Sequence, residues 1–142
     1  MRNDFWLISR LDVIWSKYFS DVSQTNKVFI KFGRFARLRL GSIKLDKKTE
    51  SSTITITGMF KDSTIPMAVV DCTIAHELTH YTHGFSSSRH RLFRYPHEGG
   101  VVKREMMERG MEKLFEAYQQ WMKEYRKDLM ARSQRKRKYG LF

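Results

Sequence analysis

Two histidines and a glutamate form the segment His76-Glu77-Leu78-Thr79-His80. In a helix, residues four apart lie on one face, so the two imidazoles can bind the same metal ion. Glu77 lies about 100° further round the helix, beside the open coordination positions. This spacing predicts a catalytic Zn²⁺ site, in which the metal lowers the pKa of a water and Glu77 takes its proton during peptide hydrolysis. A chain with a single cysteine does not fit the cysteine-rich cages of most structural zinc sites.

A catalytic zinc site needs a third protein ligand. His83 lies about 10 Å along the helix from His76, too far to share one tetrahedral ion, so we expect it to contact substrate, a ligand side chain or solvent. His90 lies between two arginines, where phosphate or solvent is the expected neighbour. That leaves the region just before the last helix as the source of the third ligand.

Three residues in that region are candidates. His97 is the preferred ligand, because it follows a proline that fixes the backbone and directly precedes the last helix. Glu105 is second and Glu98 is also conceivable by spacing, although acidic residues near a helix start are common for electrostatic reasons alone.

Other side chains near the motif have open roles. Tyr81, Arg94 and Tyr95 are candidates for a donor that stabilises the oxyanion, and Tyr81 is equally suited to packing. Cys72 lies one helical turn before His76, where a cysteine is either a small core residue or a ligand that keeps the enzyme latent.

The periodicity of apolar residues predicts the elements that position this site. We expect an α+β fold: an N-terminal helix, a small, mostly antiparallel three-stranded sheet, the motif helix up to Gly84, a loop, and one long C-terminal helix from Gly100 past Leu129. Alternation predicts strands around three groups of residues: Val28, Ile30 and Phe32; Leu38 and Leu40; Ile54 and Ile56. We interpret residues 1–130 as one domain and residues 131–142 as a basic, flexible tail.

The chain of 142 residues has a formal net charge of +12. Clustered Lys and Arg gain affinity for phosphate through counterion release, so nucleic acid is the first partner to consider, with acidic substrates or an anionic membrane surface as alternatives. Three basic patches carry this charge: Lys31 to Lys48, Arg89 to Arg94, and Arg132 to Lys138. Neither a signal peptide nor a membrane span is indicated, and we expect a cytoplasmic protein.

The order of motifs resembles one family. A basic segment at residues 37–42, a threonine-isoleucine strand, an apolar helix with the two-histidine motif and a Pro96-His97 step are together similar to the SprT-like zinc metallopeptidases. This family includes Spartan-type proteases, which digest proteins crosslinked to DNA. The likeness covers roughly residues 5–110.

The resemblance implies particular roles. By position, His76, His80 and His97 match the metal ligands, and Glu77 matches the catalytic glutamate. The chain is also similar to the small zinc peptidases called minigluzincins, for which Glu105 would be the third ligand.

The resulting hypothesis is a zinc-dependent endopeptidase that acts on protein or peptide substrates and is recruited to DNA by its basic patches. We expect an extended substrate to add as a strand along residues 52–57. The alternative is a nucleic-acid-binding module whose zinc is structural or absent. The later part of the C-terminal helix, with Trp121 and Tyr125, is expected either to pack on the first helix or to form a homodimer.

Overall fold

Four α-helices, two short 3-10 helices and a three-stranded sheet make up residues 1–139, the part of the chain that the computed structural model describes. The predicted α+β class, with a helix at the N-terminus and a long helix at the C-terminus, is confirmed. In chain order the elements are α1 (Asp4–Tyr18), β1 (Val28–Phe32), β2 (Gly41–Leu45), β3 (Ser52–Ile56), a 3-10 helix (Gly58–Lys61), α2 (Met67–Thr82), a 3-10 helix (Glu98–Gly100), α3 (Val101–Glu108) and α4 (Glu112–Tyr139).

The sheet is mixed, with strand order β1-β3-β2. β3 pairs with β1 in parallel, so that Ile54 lies opposite Ile30, and with β2 antiparallel, so that Ile54 lies opposite Ile43. The prediction of a mostly antiparallel sheet is therefore wrong, because each orientation accounts for one strand pair. β2 also begins later than predicted, at Gly41 rather than around Leu38.

The central position of β3 corrects a second prediction. Both of its edges are already hydrogen-bonded, to β1 and to β2. A substrate strand therefore cannot add along residues 52–57, since strand addition needs unpaired backbone groups. Among the described strands, β2 pairs only with β3, which leaves its outer edge unpaired by the sheet.

α2 is the helix at the centre of the fold. It contacts α1, α3, α4 and the sheet, so its apolar residues are buried on several sides at once. The helix begins after Pro66 and ends before Gly84, whose φ of +84° suits a glycine just past a helix end. The two-histidine motif thus lies on a well-bounded helix that is packed on several sides.

The long C-terminal helix begins later than the predicted Gly100, at Glu112, because a separate short helix, α3, precedes it. Gly110 has a φ of +81°, and the backbone N–H groups of Gly110 and Met111 donate to the carbonyls of Met107 and Met106, at 3.0 and 3.1 Å. These two bonds form a Schellman motif, which ends α3 and lets α4 start in a new direction.

α4 packs on the domain through its first half. Trp121 meets the ring of Phe60 edge to face, and the Tyr125 hydroxyl donates to the Arg37 carbonyl at 2.6 Å. The main helix against which α4 packs is α2, and not α1, which was one of the two partners expected. Residues 131–139 of the predicted tail belong to α4, and residues 140–142 lie outside the described residues. Across residues 1–139, none of the helices has the length and apolarity needed to cross a membrane.

Candidate metal centre

Three imidazoles converge at the exposed side of α2. The Nε2 atom of His76 lies 3.1 Å from Nε2 of His80 and 3.3 Å from Nε2 of His97. The three ligand atoms all lie within 4.8 Å of one another. These are the three histidines that the sequence assigned to the metal, and together they can hold a metal ion.

The loop after α2 brings His97 back to the helix. Gly84 is needed at its start, because a Cβ there would overlap the backbone carbonyl of His90. The backbone N–H of Leu92 then donates to the carbonyl of His83 at 2.9 Å, which folds the loop against the end of α2. The third imidazole therefore comes from a loop, whereas the other two come from adjacent turns of one helix.

The two acidic alternatives for the third ligand lie elsewhere. Glu98 Oε1 accepts a hydrogen bond from the backbone N–H of Tyr95 at 2.9 Å. Glu105 binds His83 Nε2 at 2.9 Å through one carboxylate oxygen and Arg109 Nε at 3.2 Å through the other. Glu105 thus connects α3 to the end of α2, and its carboxylate is used in doing so.

His83 and Tyr81 have structural roles. His83 is 1% exposed and packs against Phe93, so the expectation that it faces solvent or substrate is wrong. Tyr81 is fully buried, with its ring against Trp15 and its hydroxyl donating to Asn26 Oδ1 at 2.7 Å. Tyr81 therefore does not serve as an oxyanion donor. The structure leaves His90, Arg94 and Tyr95 exposed.

Cys72 does not join the three imidazoles. Its side chain is buried, and burial, reinforced by the charge of Asp71, raises the pKa of the thiol to about 12. The thiol therefore keeps its proton near neutral pH, as expected of a small core residue.

Burial keeps the helix imidazoles neutral. Desolvation, followed by the neighbouring His97, lowers the pKa of His76 to about 4. Desolvation, followed by the other imidazoles, lowers the pKa of His80 to about 3. Among the described residues, His80 Nδ1 is buried without a hydrogen-bond partner. Neutral imidazole is the form that binds metal, so near neutral pH no proton has to leave these two rings first.

Glu77 lies on the same helix and is more shielded from solvent than most glutamates are. Its residue is 6% exposed, and burial raises the pKa of its carboxyl to about 7, against the opposing effect of the Arg39 charge. A carboxyl with this pKa takes up and releases a proton near neutral pH, which is the requirement for a general base.

A cleft of about 460 Å³ opens beside His76 and Glu77. One wall is the segment of residues 37–41 that leads into β2, and the opposite wall is α4. The α4 wall is largely apolar and is lined by Phe115, Tyr118, Met122, Tyr125 and Leu129. We call this space the Glu77 cleft.

Two neighbours of Glu77 were not expected to contribute to the site. A Cβ on Gly41 would lie 2.8 Å from the methyl group of Thr73 and 3.4 Å from Glu77 Oε1, so only glycine fits there without a shift. Arg39 lines the Glu77 cleft and acts electrostatically on the Glu77 carboxyl. The sequence indicates only a strand end at Gly41 and a basic segment around Arg39.

The arrangement combines three convergent imidazoles, a neighbouring carboxyl with a raised pKa, and an adjoining cleft with an apolar wall. Such a combination can bind a metal ion and move a proton next to it. Comparisons of the chain with protein-family models, with curated proteins and with solved structures find no match, so the resemblance to the SprT-like peptidases stays a prediction from the sequence.

Proposed function

We propose that this protein is a zinc-dependent endopeptidase. The observation that carries the proposal is the convergence of the His76, His80 and His97 Nε2 atoms at a cleft that His76 lines together with the buried Glu77. Three nitrogen ligands and an adjacent acid-base residue form the pattern of catalytic zinc sites, in which one coordination position stays open for water or substrate.

The donor set fits zinc. Zn–N bonds of about 2.0–2.1 Å in a tetrahedral site place two ligand nitrogens about 3.3 Å apart. The separations of His76 Nε2 from His80 Nε2 and His97 Nε2, 3.1 and 3.3 Å, are close to that value. A bound Zn²⁺ would polarise the scissile carbonyl and lower the pKa of a water to about 7.

Glu77 supplies the proton transfer. With a pKa of about 7, the carboxylate form is populated at neutral pH and can accept a proton from the attacking water. The protonated carboxyl can then donate to the amine of the leaving peptide.

The outer edge of β2 is the proposed place for substrate. β2 starts at Gly41, whose missing side chain lets the strand come close to Glu77 Oε1. An extended peptide that adds to this edge would be held by main-chain hydrogen bonds, which align a scissile bond without requiring a particular sequence. The apolar wall of α4 would then accept one side chain of the peptide.

A single substitution tests the activity. Glu77→Gln preserves size and should retain zinc, but it removes the proton acceptor, so cleavage of an unfolded protein should fall by at least about 100-fold. Glu124→Gln, an exposed glutamate on α4, is the matched control and should cleave normally. Unchanged cleavage by zinc-loaded Glu77→Gln protein would exclude this mechanism.

The second candidate function is nucleic-acid binding, either as recruitment of the protease or as the protein's main role. The observation that favours it is the last part of α4, where residues 131–137 are all exposed. This stretch contains four basic residues: Arg132, Arg135, Lys136 and Arg137. Arg132 pairs with Asp128, and no ion pair within residues 1–139 involves the other three.

Charge reversal on this segment separates recruitment from catalysis. Arg135→Glu/Arg137→Glu should weaken binding of single-stranded DNA and abolish any DNA stimulation of proteolysis. Cleavage of a free peptide should not change. If the wild type binds single-stranded DNA but cleaves no protein, and Glu77→Gln binds equally well, the protein is a nucleic-acid-binding module instead.

A further inference from the structure

Positive charge is concentrated on the rim of the Glu77 cleft. Arg37 and Arg39 lie on the β2 side, Arg126 lies on the α4 side, and all three are exposed. Glu77 is the one acidic residue among those that line the cleft, and it is buried. A ligand that enters the cleft therefore meets guanidinium groups on both walls.

These arginines have no carboxylate partner within the described residues. The ion pairs across residues 1–139 use other cations: Arg10, His83, Arg109, Lys127 and Arg132. Arg37 is placed over the ring of Phe35, at 4.8 Å from its centroid, which orients the side chain and leaves its charge uncompensated. The rim therefore carries a net positive charge, whereas carboxylates neutralise the charges of Arg10 and Arg109.

The two walls are held together beside the site. The Tyr125 hydroxyl donates to the carbonyl of Arg37 at 2.6 Å, so α4 is tied to the segment that leads into β2. Arg126 follows directly in α4, and Arg39 lies two residues before Gly41. A peptide that runs along the β2 edge past Glu77 would pass Arg39 on one side and Arg126 on the other.

We propose that the Glu77 cleft selects peptide segments in which acidic residues flank an apolar residue next to the scissile bond. This inference rests on the proposed function and names its substrate class. Carboxylates complement the three unpaired guanidinium groups, and the apolar side chain fits the α4 wall. Single-stranded nucleic acid would also satisfy the charges and stack its bases on the aromatic rings of α4, but only a peptide can pair with the free backbone edge of β2 beside the cleft.

Binding tests the inference separately from catalysis. Three peptides of equal length share a central Phe-Leu pair and carry Asp, Ser or Lys on both sides. Their dissociation constants are measured by fluorescence anisotropy on zinc-loaded Glu77→Gln protein, and their kcat/KM values on the wild type. Because each exposed charge contact changes affinity by about two- to fivefold, the Asp peptide should exceed the Lys peptide by about tenfold or more at low salt. The difference should shrink in about 0.5 M salt.

Charge reversal provides the matched variants. Arg37→Glu/Arg126→Glu should invert the order, so that the Lys peptide binds more tightly than the Asp peptide, a gain that unfolding cannot produce. Lys17→Glu/Lys113→Glu makes the same change in net charge at exposed residues outside the cleft and should leave the order unchanged.

The outcomes are distinguishable. Equal affinities for the Asp and Lys peptides overturn the inference, even if both are cleaved. An Asp preference that survives Arg37→Glu/Arg126→Glu also overturns it, because the rim would not be the source. Displacement of the Asp peptide by a short single-stranded oligonucleotide that itself binds through these arginines would assign the rim to nucleic acid instead. A clear Asp preference without cleavage of any peptide by the wild type would support the cleft's selectivity while refuting the endopeptidase.

Discussion

Replacing the catalytic base should make the metal-free protein more stable, and the gain should depend on pH. Burial raises the pKa of the Glu77 carboxyl from 4.5 to about 7, so the folded state binds a proton there more tightly than the unfolded chain does. The contribution of the Glu77 carboxyl to the free energy of unfolding is therefore fully present below pH 4.5, and it is lost as the pH rises through about 7. Glutamine is neutral at every pH and has nearly the same shape.

The expected magnitude follows from the size of the shift. Each pKa unit corresponds to about 1.36 kcal/mol, so ionised Glu77 costs the folded state about 3 kcal/mol near pH 8. Glu77→Gln should be more stable than the wild type by about that amount near pH 8, and the difference should vanish near pH 4. That is a large fraction of the total stability of a domain of this size.

Urea unfolding in the presence of a chelator, at a series of pH values from about 4 to 8, measures the difference. Glu124→Gln is the control: its carboxylate is on the surface of α4, so the change should stay within about 0.5 kcal/mol at every pH. A Glu77→Gln protein that is no more stable than the wild type near pH 8 would refute the premise that the Glu77 carboxylate is held in a desolvated position.

Three further tests probe the metal, the cleft and the scaffold. His97→Ala should weaken zinc binding by at least about tenfold, whereas Glu105→Gln should leave it within about twofold, as measured by competition with a chromophoric chelator; the reverse order would make Glu105 the ligand. Gly41→Ala should lower peptide cleavage with zinc retained, because the new Cβ would lie 2.8 Å from the Thr73 methyl, and adding Thr73→Ser, which removes that methyl, should restore the rate. Arg109→Ala should lower the free energy of unfolding by about 2 kcal/mol in urea, since it removes charge-assisted hydrogen bonds to Glu105 in α3, to the Tyr18 carbonyl at the end of α1 and to Asp21 in the turn after it; an unchanged free energy of unfolding would show that these bonds make no net contribution.

Element types in this fold were readable from the sequence because each depends on local periodicity. The buried residues of α1, Leu7, Leu11 and Ile14, follow helical spacing, and Ile54 and Ile56 alternate as a strand with one buried face does. Strand partners were not readable in the same way. Alternation tells which face of a strand is buried, but not which strand lies beside it, so the central place of β3 and its parallel pairing with β1 could not be inferred.

Gly110 was a sequence signal for the break between α3 and α4, but the helical spacing of apolar residues continues on both sides of it. Gly110 is the glycine of a Schellman motif, yet apolar residues recur at helical spacing on both sides of it, because both helices bury a face against the same core. A glycine inside a helical pattern is consistent with a costly interior position or with a helix end. Here Gly110 ends a helix, and two backbone hydrogen bonds stabilise that end.

Spacing within one helix placed two of the three imidazoles, because His76 and His80 need only a regular α-helix to meet. The third required knowledge of a loop. His97 reaches them through a path that depends on Gly84, on the Leu92 backbone hydrogen bond and on the packing of Phe93 over His83. None of these contacts produces a periodic pattern in the sequence. The sequence alone therefore left several candidates for the third ligand.

Desolvation of α2 acts on the histidines and the glutamate with opposite sign, and both effects favour the proposed chemistry. A low-dielectric setting disfavours charge, so it removes protons from His76 and His80 and retains one on Glu77. The imidazoles are thereby neutral and able to bind metal, while the carboxyl is brought to a pKa at which it can exchange a proton near neutral pH. The charge of Arg39 lowers the pKa of the Glu77 carboxyl and so opposes the effect of burial. The carboxylate form is therefore still populated near neutral pH. Because the same burial that prepares the base destabilises its ionised form, activity and stability of this helix must change in opposite directions when Glu77 is replaced.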